Sequence, residues 1–174
     1  DISKGTYLQV MNDQVERFFD IEPYKSYRDY FDVYTAIAVS PESGIGAINT
    51  VRQTKFETTY TGGSGLRCNE NAAFAYALRM PSVNEENLNQ SLVIIVPNTM
   101  EYGGSCYLWE DGSAIALCPL NANEYPYDSR GVIQHLAGGN GFGKLGNEDI
   151  SCFAFISDAD RQIFEQMKAL GWYE

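Results

Sequence analysis

The chain has 174 residues, 44% of them hydrophobic and 13% aromatic, so it can bury one hydrophobic core and is not a disordered chain. Its formal net charge of −11 argues against nucleic acid and anionic membrane surfaces as partners, because both recruit clusters of Lys and Arg. No apolar run approaches the roughly 20 residues that cross a bilayer. We expect one domain over residues 1–174 and, since the chain starts at Asp1 without a methionine, a product or fragment trimmed at both ends.

The first half of the chain combines helix-forming and strand-forming segments. Apolar residues recur with helical spacing over residues 6–20, which predicts an amphipathic helix that stops before Pro23. Residues 32–39 are rich in β-branched and aromatic side chains and predict a strand. Polar and apolar side chains alternate over residues 55–60, which predicts an edge strand, followed by a glycine-rich loop. An alanine-rich segment at 71–80 predicts a helix capped by Asn69 or Asn71.

The second half adds a strand, a hairpin and two helices. Residues 91–96 are almost entirely apolar and predict a central strand covered on both faces. The pair Asp111-Gly112 predicts a hairpin turn. A cap at Asp128 or Ser129 predicts a helix over residues 129–140, and residues 157–171 predict a last amphipathic helix. This order indicates an α/β (α+β) fold, with helices packed on a mixed sheet.

The four cysteines leave their redox state open. A two-residue turn in the predicted hairpin would put Cys106 opposite Leu117, whereas a three-residue turn with a glycine bulge would put it opposite Cys118. The second arrangement permits a disulfide and leaves Cys68 and Cys152 as the remaining pair. The alternative is four buried, reduced thiols. Disulfides would indicate an extracytoplasmic protein.

His135 is the only histidine in the chain. A lone histidine is more often structural than functional, so its neighbours decide the interpretation. It precedes Leu136 and three small residues at 137–139. Each glycine inside a helix costs up to about 1 kcal/mol relative to alanine. Either the helix bends at this point, or another part of the molecule approaches its backbone closely.

The segment from His135 to Glu148 resembles the active-site motif of the IgA-peptidase family of bacterial zinc metallopeptidases. Some members carry a form close to HEAGGHGFGKLADEY, and the small residues, Phe142, Lys144 and Leu145 of this chain fit it. Residues 19–31, 102–104 and 170–173 resemble further parts of the family. The resemblance implies a zincin-like fold in which residues 129–140 form the active-site helix.

The departures from that motif fall on the positions that carry the chemistry. In such peptidases a glutamate beside the first histidine is the general base, and three side chains bind the metal. The resemblance retains His135 as a ligand, places Leu136 at the base position, and places Asn140 and Asn147 at lost-ligand positions. A neutral amide is a poor zinc ligand. We therefore expect no cofactor here, whereas active relatives hold zinc.

The resemblance also implies a substrate cleft, bounded by the hairpin, by Tyr102, Gly103 and Gly104, and by the helix of His135. With the base and two ligands replaced, we expect an inactive or impaired peptidase domain that binds an extracellular peptide, protein or glycan. The alternatives are an active metallopeptidase with an unconventional metal site, and a purely structural domain. The expected location is secreted, periplasmic or on the surface of a bacterium, and the oligomeric state stays open.

Overall fold

The computed structural model describes residues 5–22, 24–124 and 127–144, with side chains as far as Ala137 in the last range. The α-helices in these ranges are α1 (Thr6–Phe18), α2 (Glu70–Ala77) and α3 (Ser129–Lys144). The strands are β1 (Thr59–Gly62), β2 (Gly65–Arg67), β3 (Leu92–Ile95), β4 (Ser105–Leu108) and β5 (Ala114–Leu117). Short 3-10 helices span Arg28–Tyr30 and Leu88–Gln90. No helix in the described ranges is long and apolar enough to cross a membrane.

The core is built on a three-stranded mixed sheet in the order β3-β5-β4. Strand β3 runs parallel to β5, and β4 runs antiparallel to it. Every residue of β5 is 0% exposed, because this strand has a neighbour on each side and a packed layer on each face. The central strand of this sheet is therefore β5. The sequence predicted that role for residues 91–96, but β3 pairs only with β5 among the described strands.

Alternate residues of the sheet face two different layers. One face carries small side chains, Cys106 and Ala116 among them, and packs against α1 and α3. The other face carries the larger Ile115 and Leu117 and packs against α2. The small side chains let α3 approach the sheet closely, and Ala137 at this contact is 0% exposed. Helices on both faces of a mixed sheet confirm the predicted α+β class.

Strands β4 and β5 form the hairpin that the sequence predicted at Asp111-Gly112. Its three-residue turn begins one residue earlier than the alternative Asp111-Gly112-Ser113. The amide of Trp109 donates to the carbonyl of Ser113 (2.9 Å), and the amide of Gly112 donates to the carbonyl of Trp109 (2.9 Å). The loop is therefore Glu110-Asp111-Gly112. Gly112 has a φ of +87°, as a type I turn followed by a left-handed residue requires.

The register set by this turn keeps Cys106 and Cys118 from lying opposite each other. Cys106 faces Ala116 across the ladder, so Cys118 lies two residues beyond that partner. The structure holds Cys68, Cys106 and Cys118 as thiols. The opposed positions of Cys106 and Cys118 are therefore a wrong prediction, whereas the choice between disulfides and reduced thiols in the protein stays a prediction. Cys152 lies outside the described residues.

The helices largely follow the sequence predictions. Helix α1 occupies the predicted segment, and Asn69 caps α2 because its Oδ1 accepts a hydrogen bond from the amide of Ala72 (3.1 Å). Helix α3 begins where predicted but continues to Lys144, four residues past the expected end. The predicted helix at residues 157–171 lies outside the described part of the chain.

Two predicted strands are wrong or displaced. Residues 32–39 belong to no helix or strand, and most of their side chains are exposed. Their β-branched composition favours a strand, but no other described segment pairs with them. The predicted edge strand at 55–60 begins only at Thr59 and forms the β1-β2 hairpin with Gly65–Arg67. The glycine-rich loop is the turn of this hairpin.

Candidate functional site

Helix α3 is fixed at its first turn by a cap and by α1. The carboxylate of Asp128 accepts a hydrogen bond from the amide of Gly131 (2.8 Å), which satisfies one of the donors that a helix N-terminus leaves open. The guanidinium of Arg17 on α1 donates to the hydroxyl of Ser129. The side-chain amide of Gln134 donates to the backbone carbonyl of Arg17 (3.0 Å). These bonds set the rotation of α3 about its axis.

That rotation turns an apolar stripe of α3 toward the sheet. Val132 and Ile133 are each 2% exposed, Leu136 is 9% exposed and Ala137 is 0% exposed. Residues 132, 133, 136 and 137 share one helix face because they are one turn apart. His135 lies beside this stripe and is half-buried. Leu136, at the base position of the resembling motif, is thus part of the hydrophobic core.

Leu136 packs directly on the loop that precedes β4. A β-carbon added to Gly104 would lie 2.4 Å from Cδ1 of Leu136 and 3.1 Å from Cγ1 of Val132. Real β-carbons essentially never come that close to another heavy atom. The absence of a side chain at residue 104 is therefore what lets α3 and the loop meet. Gly104 contacts the side chains of Val132 and Leu136, so the close approach or bend expected at residues 137–139 stays a prediction.

The β1-β2 hairpin covers the same loop from the other side. The amide of Gly104 donates to the carbonyl of Ser64 (2.9 Å), and a β-carbon on Gly103 would lie 2.6 Å from that carbonyl oxygen. The hydroxyl of Tyr60 donates to the carbonyl of Glu101 (3.0 Å). The loop is thus held between the hairpin and α3.

Strand β4 is tied to the same hairpin by side chains. The amide of Leu66 donates to the hydroxyl of Ser105 (2.8 Å), and the hydroxyl of Tyr107 donates to the carbonyl of Leu66 (2.5 Å). The sequence contained no direct signal for these bonds, because they join residues 39 and 41 positions apart.

The residues predicted to line a cleft are brought together with Leu136, but packing contacts occupy the space between them. Tyr102 packs against the core cluster and its ring makes an edge contact with Tyr127, with centroids 6.0 Å apart. Burial raises the pKa of the Tyr102 hydroxyl, and the neighbouring Tyr127 raises it further. The backbone amide of Gly104 is already bonded to Ser64. An extended peptide would have to displace the β1-β2 turn to pair with this amide.

Two thiols lie near the site and are held in their protonated form. Cys118 is 0% exposed beneath α3, and this burial raises the pKa of its thiol, while a hydrogen bond with the backbone of Ala137 lowers it by less. Burial, with a smaller contribution from Glu70, raises the pKa of Cys68 to about 11. A nucleophile or zinc ligand must be a thiolate. Neither thiol is prepared for that role near neutral pH.

The donor atoms that the structure describes around α3 do not fit a catalytic zinc site. Such a site needs three protein ligands, and His135 is the single histidine of the sequence. Within the described residues no group of three or more His, Cys, Asp or Glu side chains could hold a metal. Asn140 lies on α3, but its side chain, like Asn147 as a whole, lies outside what the structure describes. Replacement of the two ligands therefore stays a prediction from the resemblance.

The mixed sheet with helices on both faces defines an α+β domain, a class consistent with a peptidase domain. The chain belongs to the IgA Peptidase M64 family, which its residues 2–118 match. That is more than half of the chain, and it is a family of zinc metallopeptidases. The match includes α1, α2, all five strands and the loop at 102–104, and it ends before α3. No curated protein matches the chain.

Proposed function

We propose that this protein is a catalytically silent member of its peptidase family, and that it acts as an extracellular module that binds a peptide, protein or glycan. The observation that carries the proposal is the burial of Leu136 against Gly104. In the resembling motif this position holds the general base, which must reach a water molecule beside the metal. Here the side chain is apolar and its space is filled by the loop.

The energetics of this position support the same conclusion. A carboxylate in the place of Leu136 would be buried among apolar side chains of the core cluster, and an unpaired buried charge is very costly. A β-carbon on Gly104 would already collide with Leu136, so the loop and α3 are in direct contact at this point. A working base would need the loop to move away from α3. The packing of this chain favours the closed, inert arrangement.

The binding role rests on composition and family relation. The net charge of −11 favours a partner other than nucleic acid, and family membership supports a protein or peptide partner met outside the cell. Several large apolar side chains are exposed in this chain, Tyr30 at 83% and Met100 at 66% among them. Exposed aromatic rings contribute strongly to contacts with peptides and sugars. The proposed location is secreted, periplasmic or on the surface of a bacterium.

A second candidate is an active metallopeptidase with an unconventional metal site. The observation that favours it is His135, which is half-buried at the edge of the apolar stripe and not sealed in the core. The remaining ligands would have to come from carboxylates or from a partner molecule. Under this candidate, the side chain of His135 is essential for any hydrolysis.

The experiment that separates the two candidates measures metal content, hydrolysis and binding on the same preparation. We expect elemental analysis of the purified chain to find no stoichiometric zinc, and a fluorogenic peptide library to stay intact. We expect arrays of extracellular peptides and glycans to yield at least one ligand. Stoichiometric zinc would establish the second candidate if a chelator and His135→Ala both abolish cleavage, while Gln9→Ala at an exposed position of α1 leaves it intact. If no peptide or glycan on these arrays binds the protein, the binding role is contradicted.

A further inference from the structure

A small surface pocket gathers positive charge in this acidic chain. It lies between the end of α1, the turn at residues 25–28 and the first turn of α3, and it has a volume of about 580 Å³. Four cationic side chains line it: Arg17, Lys25, Arg28 and Arg130. They are a third of the 12 Lys and Arg residues of a chain whose formal net charge is −11. The pocket can therefore attract an anion although the chain as a whole repels anions.

Two of these cations are held in place by neighbouring side chains. The guanidinium of Arg17 donates to the hydroxyl of Ser129, and the guanidinium of Arg130 pairs with the carboxylate of Asp20. Both contacts join the region at the end of α1 to the first turn of α3. The two positive charges are thus positioned before a ligand arrives, which lowers the entropy that binding must cost.

Arg28 is positioned mainly by an aromatic ring. Its guanidinium carbon lies 3.9 Å from the centroid of the Phe19 ring. The distance from its Nη2 to Oε1 of Glu16 is 3.7 Å, and the Glu16 side chain is 76% exposed. That separation is too long for a hydrogen bond. A guanidinium that lies over a ring keeps its N–H donors at its edge, so Arg28 presents donors in a fixed geometry.

Lys25 adds a second cation beside Arg28. The amide of Arg28 donates to the carbonyl of Lys25 (3.5 Å), so the two residues lie at the two ends of one turn. Both side chains line the pocket. Lys25 is exposed, and its flexible side chain can bring the ammonium group to an anion that Arg28 already contacts.

The carboxylates of the pocket indicate which kind of anion it accepts. Glu16, Asp20 and Asp128 also line it, so four positive charges meet three negative ones. A polyanion would bring several of its charges close to these carboxylates, and like charges in contact are unfavourable. A single carboxylate matches the excess of one positive charge. It is also the group that a guanidinium binds through two parallel hydrogen bonds.

We infer that this pocket binds one carboxylate group of a peptide, with Arg28 donating to its oxygens and Lys25 supplying a second positive charge. This site rests on the proposed binding function, for which it names the ligand group and the place. Membership of a peptidase family favours a peptide as the source of the carboxylate. Salt screens exposed charges that are more than about 8 Å apart at physiological ionic strength, so the acidic remainder of the chain weakens this contact little.

NMR titration of the full chain with peptides of known charge tests the pocket. The probe is an acetylated and amidated peptide of Gly and Ser with one central Glu, and its control has Gln at that position. We expect the Glu peptide to shift the amide signals of Lys25 and Arg28 with a Kd of about 1–10 mM. The Gln peptide should bind at least about 5-fold more weakly. Equal binding of the two peptides, or shifts confined to other parts of the chain, would overturn the inference.

A third peptide identifies the source of the carboxylate. It carries Gln at the central position and a free carboxylate at its C-terminus. Tighter binding of this peptide assigns the carboxylate to a chain end, and tighter binding of the Glu peptide assigns it to a side chain. Both outcomes support the pocket. Tighter binding of a sulfated oligosaccharide than of either peptide would overturn the inference in favour of an anionic glycan.

A matched pair of substitutions tests the role of Arg28. Arg28→Gln removes a charge from the pocket, and Arg52→Gln removes the same charge from an exposed position that does not line it. We expect Arg28→Gln to weaken binding of the Glu peptide at least about 5-fold, and Arg52→Gln to weaken it less than about 2-fold, because distant charges are screened. Arg28→Lys keeps the charge but loses the paired donors, so its effect should be intermediate. Equal effects of Arg28→Gln and Arg52→Gln would overturn the inference.

The array ligands of the proposed function separate its failure from that of the pocket. If they bind Arg28→Gln as tightly as the wild type, the proposed function stands and the pocket is overturned as its binding site. If the arrays yield no ligand at all, the proposed function itself is contradicted, and the pocket loses the role inferred for it.

Discussion

Gly104 and Leu136 meet without space for a single additional carbon atom. A β-carbon on Gly104 would lie 2.4 Å from Cδ1 of Leu136 and 3.1 Å from the carbonyl oxygen of Leu117. The two residues are 32 positions apart in sequence, yet this contact joins the loop before β4 to the helix that carries His135. It is the point at which a catalytic cleft would have to open. Its tight packing makes it the most direct place to test the closed arrangement.

Gly104→Ala should destabilise the protein by about 1–3 kcal/mol, because the added methyl group overpacks the contact with Leu136. Chemical denaturation of both proteins measures the difference. In a Leu136→Ala background the clash with Cδ1 is gone, so the cost of Gly104→Ala should fall by about 1 kcal/mol or more. Additive effects of the two substitutions would show that the residues do not touch. Leu136→Ala alone should cost about 2–4 kcal/mol as a core truncation.

Local chemistry made several elements of this fold predictable. Asn69 and Asp128 cap α2 and α3 because a short polar side chain can accept a hydrogen bond from the first turn of a helix. The hairpin could be placed because Gly112 adopts a left-handed conformation that few other residues tolerate. These signals lie within a few residues of the structure they specify. Each can therefore be read without knowing the rest of the molecule.

Features that depend on distant partners were not predictable in the same way. The strand-like composition of residues 32–39 indicates how the segment can pair, but the presence of a partner is decided by the whole fold. The sheet order makes β5 the central strand. The sequence prediction, which used apolar content alone, had given that role to β3. At the site, the small residues at 137–139 indicated either a bend of the helix or a close approach of another segment. That Gly104 approaches Leu136, while Ser64 covers it from the other side, required the structure.

The buried Cys118 thiol should make the protein less stable in alkaline solution. Its pKa is raised above the ordinary value of 9.0 by burial, so the folded state retains the proton that the unfolded state loses. The thiol's contribution is complete below pH 9 and declines as the pH rises above it, by at most about 1.4 kcal/mol per pH unit. Urea denaturation of the wild type and Cys118→Ala from pH 7 to 10 measures this decline.

We expect the free-energy difference between these two proteins to be constant from pH 7 to 8 and to shift in favour of Cys118→Ala between pH 9 and 10. The lower range is an internal control, since neither state ionises the thiol there. A difference that stays constant up to pH 10 would show that Cys118 ionises as easily in the folded protein as in the unfolded chain. Intact-mass measurement without a reductant checks independently that Cys106 and Cys118 are thiols.

Tyr107 should contribute measurably to holding the β1-β2 hairpin on the sheet. Its hydroxyl donates to the carbonyl of Leu66, a residue that is 0% exposed, so Tyr107→Phe leaves a buried acceptor without its donor. The expected cost is about 1–2 kcal/mol in the free energy of unfolding. Tyr30→Phe is the matched control, because Tyr30 is 83% exposed, and it should change stability by less than about 0.5 kcal/mol. Equal effects would show that Leu66 finds another donor, such as water.

The zinc site that the resemblance implies should be recoverable without disturbing the core. Leu136 packs against Gly104 and is left in place, while Asn140→His and Asn147→Asp together restore the ligand types of the resembling motif beside His135. Three such ligands are enough for a stable zinc site. We expect the double variant to retain about one zinc per chain after dialysis and the wild type to retain none. At a zinc concentration 100 times the dissociation constant, the double variant should gain about 2.7 kcal/mol in stability.

His135→Ala in the double-variant background is the control for this site. It removes the histidine that the resemblance assigns as a ligand, so the zinc content and the gain in stability should both be lost. If zinc remains after this change, the metal is bound elsewhere and the motif has been placed on the wrong residues. If the double variant folds normally but never binds zinc, α3 and the residues after it do not bring positions 135, 140 and 147 together. The chain would then share the non-ligand residues of the motif with the family, but not the geometry that binds a metal.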